Sequence, residues 1–350
     1  MKTKKNNTKN ELPTTPESGA RKKRVLTGDT PTGRLHIGHY VGTLANRVKL
    51  QHEYETFIIL ADLHAFTTLS SHPDFIREAT MQVAIDNLSV GLDPNIVHFF
   101  VESQIPEIYE LSAMYSMLVS HSRALRNPTI KDEIVAKQQG DTFSMGFVSY
   151  PLFQAADITC VGADLIPVGK DQIPHIEQTI EIVEKFNSVY GNTLVKPKAL
   201  VGNIGKLVGT DGNPKMGKSL KNTIMLSASK EEVQKIVMGM YTDPKRLHPT
   251  DPGNVEGNPV FIYHDAFNPD AEEVVDLKTR YKLGKVGDVE VKSKLISAIN
   301  GFLEPIREKR AYYESNKHLV EEILVEGTKI TRIEAQKTLE KVREAMKIAY

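Results

Sequence analysis

Two short motifs, far apart in the chain, carry side chains that can bind phosphate groups. The first, His-Ile-Gly-His over 36–39, follows a predicted strand over 24–28 and a turn-rich stretch, and it begins a predicted helix. The amino end of a helix presents free N–H groups and a partial positive charge, which attract an anion. The second motif, Lys-Met-Gly-Lys-Ser over 215–219, is a glycine-containing loop with two lysines that can bind phosphate oxygens. Together the motifs predict a site for the phosphates of one nucleotide.

Each motif also has a simpler interpretation. A four-residue match can arise by chance, and a loop of this composition is often only a solvated turn. A His-x-x-His pair can also bind a metal, but no carboxylate or cysteine near His36 and His39 completes a ligand set. Because both motifs occur in the expected order and each lies in a turn context, we favour the nucleotide site and expect no dedicated protein metal site.

The composition limits the classes of function. The chain has 350 residues with 44 basic and 44 acidic side chains, which excludes a strongly cationic coat for nucleic acid but not a local basic face. Cys160 is the single cysteine, which excludes an intramolecular disulfide and fits a reducing cytoplasm. No apolar run approaches the roughly 20 residues of a membrane-spanning helix, so we expect no membrane partner.

The pattern along the first half predicts an α/β fold. Apolar runs over 57–62 and 96–101 indicate buried strands, and between them a helix is predicted to begin at Pro73 and to end at Gly91. Strands that alternate with amphipathic helices are typical of a doubly wound parallel sheet, whose ligands lie at the carboxyl ends of the strands. The first motif follows the first strand and therefore belongs to that edge.

The second half is predicted to end in helices alone. A helix over 172–190 should close at Gly191, a glycine-rich segment over 202–214 indicates a mobile loop before the second motif, and Ser229 should begin a helix with a capping box. From about Tyr241 onward strand-like runs vanish, and three helices are predicted, over 270–283, 289–314 and 328–350. The C-terminal third is therefore predicted to be a small all-helical domain.

The two motifs resemble the HIGH and KMSKS motifs of class I aminoacyl-tRNA synthetases. Further blocks narrow the resemblance to the tryptophanyl-tRNA synthetases: Tyr-Pro-Leu-Phe-Gln-Ala-Ala-Asp over 150–157, Pro-Val-Gly-Lys-Asp-Gln over 167–172, and segments over 239–244, 256–261 and 338–346. The resemblance covers nearly the whole chain after residue 24.

The resemblance implies a domain organisation, an activity and a set of partners. Residues 1–23 are predicted from their composition, rich in lysine and arginine and almost without apolar side chains, to be a disordered basic tail. The resemblance implies a Rossmann-type catalytic domain over 24–220 that binds ATP and the amino acid, and a mainly helical anticodon-binding domain over 221–350, whose last helices can pack back on the catalytic domain. The implied activity is ATP-dependent formation of tryptophanyl-adenylate from L-tryptophan and its transfer to tRNA(Trp). A homodimer in the cytoplasm is implied, with Mg²⁺ bound through the phosphates of ATP.

The chemistry of activation explains the residue types in the motifs. The amino-acid carboxylate attacks the α-phosphorus of ATP while pyrophosphate leaves, so negative charge grows on phosphoryl oxygens and no proton has to be removed. Such a site needs donors rather than a base. The resemblance assigns the catalytic donor roles to four side chains, namely His36, His39, Lys215 and Lys218.

The resemblance also assigns binding roles. ATP contacts are implied for Thr30, Gly38, Lys131, Gly169, Asp171, Met216 and Ser219. The tryptophan pocket is implied to contain Tyr150, Gln154, Asp157 and Gln172, with the Asp157 carboxylate accepting the indole N–H. Two residues depart from the family pattern: Gly217 replaces a serine of the second motif, and Gln154 replaces a methionine common among relatives.

Several alternatives remain open from the sequence. Gln154 and Asp157 also match the Tyr-x-x-x-Gln-x-x-Asp pattern with which the tyrosyl enzyme grips tyrosine, and a carboxylate accepts a phenol hydroxyl as well as an indole N–H. Outside their motifs, Asp157 and Asp171 would be read as helix-capping or salt-bridged carboxylates. An adenylate-forming nucleotidyltransferase that never touches RNA is a second alternative, although such enzymes usually end soon after the second motif. A non-catalytic tRNA- or tryptophan-binding paralogue is the third.

Overall fold

The computed structural model describes residues 21–131, 144–169, 172–201, 207–243, 246, 248 and 250–350. Its centre is a five-stranded parallel sheet with the order β3-β2-β1-β4-β5. The strands are β1 Arg24–Asp29, β2 Glu55–Leu60, β3 Val97–Val101, β4 Leu165–Val168 and β5 Lys198–Val201. From β1 the chain adds β2 and β3 on one side of the sheet and β4 and β5 on the other. The connections therefore diverge between β1 and β4, and a crevice opens at the carboxyl ends of these two strands. The doubly wound sheet predicted from the sequence is confirmed.

Helices connect the strands and cover both faces. The helices that accompany the sheet are α1 Ile37–His39, α2 Ala45–Glu53, α3 Asp62–Leu69, α4 Pro73–Ser89, α5 Pro106–Ser116, α6 His121–Ala124, α7 Met145–Cys160 and α8 Ile173–Tyr190. A π-helical turn, Tyr40–Leu44, joins α1 to α2. The helices that follow the second motif are α9 Lys230–Met238, α10 Pro259–Phe267, α11 Ala271–Lys282, α12 Asp288–Ser315 and α13 Lys317–Ala345.

Local sequence signals locate several helix ends. Pro73 occupies the first turn of α4, whose buried residues include the predicted apolar face. Helix α8 ends against Gly191, whose φ of 95° lies in the region that favours glycine. Ser229 and Glu232 form the predicted capping box of α9, with the Ser229 side chain accepting from the Glu232 N–H. Cys160 is a fully buried core side chain, as its apolar surroundings in the sequence suggest.

Two predicted elements had wrong boundaries. The strand predicted over 57–62 ends at Leu60, and Asp62 already begins α3 with its carboxylate in the first turn. The last helix extends from Lys317 to Ala345 rather than from 328 to 350, so it continues through Gly327. A Cβ at Gly327 would lie 2.0 Å from the Phe99 carbonyl oxygen, so the glycine serves a close approach to β3 and does not end the helix.

Helix α13 covers the free edge of the sheet. β3 is an edge strand, and its Val101 N–H donates to Thr328 Oγ1 at 3.3 Å. Unpaired groups on an edge strand invite pairing with another chain, so a helix laid along the edge blocks that route. The C-terminal helices thus pack back on the sheet, and residues of α12 such as Leu295 and Ile299 share one apolar core with Ile58 of β2.

Part of the sequence-based prediction lies outside the described residues. This applies to residues 1–20 of the predicted tail, to 202–206 of the predicted loop and to Asp171. Over the residues that are described, no helix combines the length and the apolar character needed to cross a membrane.

Candidate active site

A cavity of about 640 Å³ opens at the carboxyl ends of β1, β2 and β4. Its wall is formed by the end of β1, the start of α3, the middle of α7 and the segment that follows β4. Seven of the residues singled out from the sequence line it: Thr30, His39, Tyr150, Gln154, Asp157, Gly169 and Gln172. The fold therefore brings three of the predicted nucleotide contacts and all four predicted amino-acid contacts to one cavity.

The two motif histidines are held by the backbone. His36 caps the first helical turn, its Nδ1 accepting from the Gly38 N–H at 3.1 Å, and His39 Nδ1 accepts from the His36 N–H at 3.1 Å. Since Nδ1 accepts in both rings, the proton of each neutral ring is on Nε2. Both side chains are thus fixed as Nε2–H donors.

Burial keeps these donors neutral. It lowers the pKa of His36 to about 3, with the nearby His39 and Lys218 acting in the same direction. It also lowers the pKa of His39, although Asp29 opposes that shift. The centroids of the His36 and His39 rings lie 3.8 Å apart, so a positive charge on one ring would repel a positive charge on the other. A neutral ring can donate its Nε2–H to a phosphoryl oxygen as negative charge grows on that oxygen, and it does not have to lose a proton first.

The second motif lies directly on the first. Lys218 Nζ donates to Thr32 Oγ1 at 3.2 Å and to the Gly33 carbonyl oxygen at 3.1 Å, in the turn before the first motif. Burial lowers the pKa of Lys218, while Asp29 raises it. The thioether of Met216 lies so close to Gly38 that a Cβ there would be 2.5 Å from the sulfur. These contacts join two segments that are far apart in the sequence.

Backbone pairing fixes that arrangement. The Ile37 N–H donates to the Ile224 carbonyl at 2.9 Å, and the Leu226 N–H donates to the Leu35 carbonyl at 3.0 Å. The segment that follows the second motif therefore pairs antiparallel with the residues around His36. This pairing was not apparent from the sequence.

An asparagine organises the loop of the second motif. The Asn222 amide donates to the Lys215 carbonyl at 3.0 Å and accepts from the Gly217 N–H at 2.9 Å. A Cβ at Gly217 would meet only Ser219 Oγ at 3.9 Å, so the departure from serine is not required by space. The side chains of Lys215 and Ser219 are not part of the cavity wall that the described residues form.

The amino-acid end of the cavity has a carboxylate at its floor. Asp157, on α7, is buried, and its Oδ1 has no hydrogen-bond partner among the described residues. Burial and the nearby Glu102 raise the pKa of Asp157 well above its ordinary value, whereas His64 lowers it. The Tyr150 hydroxyl and His175 Nε2 lie 3.1 Å apart on the same wall. An acceptor at the end of an apolar wall is suited to one N–H or O–H group of a bound ring.

His64 and Glu102 belong to this floor and were missed in the sequence. His64 Nδ1 lies 2.8 Å from Glu102 Oε1 and 4.0 Å from Asp157 Oδ2. Burial opposes the charged ring, but the two carboxylates raise the pKa of His64 to about 9. Ligand atoms of these three residues lie within 4.8 Å of one another, a spacing that a metal could use. Because His64 and Asp157 line the cavity and Glu102 pairs with His64, we assign the cluster to the pocket floor.

A buried arginine supports the nucleotide end and was also missed. Arg47 is almost wholly buried, and its guanidinium donates to Asp29 at 2.5 Å, to the Gly28 carbonyl at 2.6 Å and to Asn87 Oδ1 at 3.0 Å. A parallel sheet places its functional groups at the carboxyl ends of its strands. The ends of β1 and β2 are followed or faced by Asp29, Arg47 and His64. A place next to the end of a strand was therefore the sequence feature that could have identified them.

Besides Ser219, a second predicted ATP contact is not brought to the cavity. Lys131 is exposed, its N–H donates to the Asn127 carbonyl at 3.2 Å, and its side chain is not in the cavity wall formed by the described residues. His36, Gly38, Met216 and Lys218 reach the site through the contacts between the two motifs rather than through the cavity wall.

The parallel sheet, the paired motifs at its carboxyl edge and the adjoining amino-acid pocket define a nucleotide-dependent enzyme of the class I synthetase type. The family model of class I tRNA synthetases (W and Y) matches residues 18–304. The chain belongs to this family.

Relatives agree with this placement over nearly the full chain. The tryptophan–tRNA ligase of Clostridium longisporum is 48% identical over 334 residues, covering 94% of this chain and 98% of the relative. That of Treponema pallidum is 46% identical over 329 residues, covering 92% and 96%. The tryptophanyl-tRNA synthetase of Campylobacter jejuni, solved in complex with ADP and tryptophan, superposes with a TM-score of 0.84 at 33% identity, covering 93% of this chain and 99% of that one.

Proposed function

We propose that this protein is a tryptophan–tRNA ligase, which activates L-tryptophan with ATP to tryptophanyl-adenylate and transfers it to tRNA(Trp). The observation that carries the proposal is one cavity that has His39 of the first motif at one end and the buried acceptor Asp157 at the other. The ligases from Clostridium longisporum and Treponema pallidum support it at nearly half identity over nearly their whole length.

The nucleotide end supplies donors and no base. The Nε2–H groups of His36 and His39 bind the triphosphate, and the ammonium of Lys218 follows the charge onto the leaving pyrophosphate. Lys215 and Ser219 join this set when the loop of the second motif closes on ATP, and Lys131 binds a phosphate from the far side. Gly38, Met216, Thr30, Gly169 and Asp171 complete the contacts to ATP.

The amino-acid end selects the ring. Asp157 accepts the indole N–H, and an unpartnered buried oxygen at this position costs free energy until a donor arrives. Tyr150, Gln154 and Gln172 line the wall around the ring and the ammonium group of the substrate. We assign the tryptophan specificity to this wall.

Further properties belong to the same proposal. Mg²⁺ enters with the phosphates of ATP rather than through a protein site. The helical part over 221–350 binds the anticodon region of the tRNA, residues 24–220 form the catalytic domain and residues 1–23 a basic tail. The protein works in the cytoplasm as a homodimer.

Pyrophosphate exchange with each of the twenty amino acids tests the activation step. Tryptophan alone should support exchange, and tyrosine-dependent exchange would instead identify the tyrosyl enzyme that Gln154 allows. A charging assay with tRNA(Trp) then separates a ligase from an enzyme that stops at the adenylate. If no amino acid supports exchange, the proposed ligase activity is refuted.

A further inference from the structure

The residue before the first motif is held by a carboxylate from another helix. Leu35 is buried, and its N–H donates to Asp86 Oδ2 at 2.7 Å. Asp86 is a fully buried residue of α4. Because Leu35 directly precedes His36, this hydrogen bond fixes the backbone from which the His36 imidazole projects.

The second oxygen of Asp86 reaches the C-terminal helices. Asp86 Oδ1 accepts from Arg310 of α12, and Arg310 also donates to Gln82 of α4 and to Glu314 of its own helix. The Arg310 side chain is only 3% exposed. Burial raises the pKa of Asp86 to about 6, against the lowering effect of Arg310. Burying such a pair is costly, so the ion pair by itself is weak evidence for a contribution to stability.

The neighbouring contacts point to the same site. Asn87, the next residue of α4, donates to Asp29 at 3.1 Å and so supports the end of β1. On α12, the Arg307 guanidinium donates to the Ala228 carbonyl at 2.7 Å, just beyond the segment that pairs with the first motif. Helix α4 therefore supports the first motif through Asp86. Helix α12 contacts both Asp86 and the segment that follows the second motif.

We propose that Asp86 is a positioning residue for adenylate formation, with Arg310 as the counter-ion of the buried carboxylate. An oxygen of Asp86 holds the Leu35 N–H, and Leu35 sets the direction of the His36 Nε2–H donor. The pair thereby links α12, in the helical C-terminal part, to the phosphate-binding end of the active site. The inference rests on the proposed function, since it concerns the rate of that reaction.

A purely structural pair and a positioning pair respond differently to matched replacements. The variants D86N/R310M and D86L/R310M both remove the buried charges, and asparagine and leucine have the same number and branching of side-chain heavy atoms as aspartate. Asparagine keeps an oxygen for the Leu35 N–H, whereas leucine has none. Any difference in catalysis between these two variants therefore reports the hydrogen bond to Leu35 rather than the loss of the ion pair.

The measurement is single-turnover adenylate formation at saturating ATP and tryptophan, with thermal unfolding as the test of folding. D86N/R310M should stay within about 3-fold of the wild type, and D86L/R310M should lose about 10- to 100-fold, the scale for a small misplacement of a reacting group. Tryptophan affinity, followed by the fluorescence of the bound ligand, should match in both variants. A wild type inactive with tryptophan would refute the proposed function instead.

Equal rates in the two variants would overturn the positioning role while leaving the proposed function intact. If D86L/R310M does not fold, D86A/R310M removes the same acceptor with a smaller side chain and should show the same loss. Failure of both acceptor-free variants to fold, with D86N/R310M folded, would show that the hydrogen bond serves the fold and would also overturn the proposal.

Discussion

Replacing Gly38 with alanine should separate the two motifs and slow adenylate formation. The added Cβ would lie 2.5 Å from Met216 Sδ and 2.9 Å from two atoms of the His36 ring. Ordinary contacts between such atoms begin at about 3.5 Å, so the ring must move by roughly half an ångström and the sulfur by about 1 Å. The thioether can rotate away at little cost. The His36 ring cannot, because it is buried and its Nδ1 is bonded to the N–H of residue 38 itself.

The expected loss follows from that displacement. A misplacement of about 1 Å costs on the order of 100-fold in rate, so we expect G38A to lower single-turnover adenylate formation by about 10- to 100-fold. The affinity for tryptophan should stay unchanged, since residue 38 is not in the amino-acid pocket. Because the chain contains no tryptophan, the emission of the bound ligand reports that affinity without interference.

Gly42, in the following π-helical turn, provides the matched control. A Cβ at Gly42 meets no atom within 4 Å, so G42A adds the same methyl group to the same segment without a clash. G42A should therefore keep the wild-type rate. If G38A forms adenylate as fast as G42A, the contact between Gly38, His36 and Met216 does not set the position of the catalytic donors.

Three other predictions concern single side chains. Lys218→Ala should lower the rate of adenylate formation by about 100-fold or more and change the ATP dissociation constant far less, because the ammonium group stabilises the negative charge that develops on the leaving pyrophosphate. If single-turnover kinetics show a loss of ATP affinity alone, the loop only binds ATP. Asp157→Ala should raise the Michaelis constant for tryptophan by an amount worth about 1–3 kcal/mol and weaken discrimination against phenylalanine, with ATP binding as the control; an unchanged constant would remove Asp157 from the pocket. The pKa of His64 is raised from 6.5 to about 9, so its stabilising contribution is complete below pH 6.5 and is lost as the pH rises through about 9. The difference in unfolding free energy between wild type and His64→Gln should therefore shrink over that interval, and a constant difference would show that the ring is not charged in the folded state.

Local sequence signals predicted several helix ends, but not the contacts between distant segments. Short-range signals such as Pro73, the Ser229 capping box and Gly191 located helix ends correctly, because each acts on backbone groups within one turn of itself. Gly327, which directly precedes the predicted start of the last helix, lies inside α13 instead. A glycine is a helix breaker by local propensity, and only its contact with the Phe99 backbone explains its place inside α13.

The sequence by itself determined the alternation of strands and helices and the presence of the two motifs, and its resemblance to the synthetases identified the candidate residues of the amino-acid pocket. The alternation follows from periodicity, and the motifs are recognised by their spacing over a few residues. Only the tertiary structure decided how Lys218 meets Gly33, which ring nitrogens carry the protons, and how Arg310 meets Asp86. The physical reason is that burial and charge pairing depend on segments brought together from distant parts of the chain, and neither can be read from neighbours in the sequence.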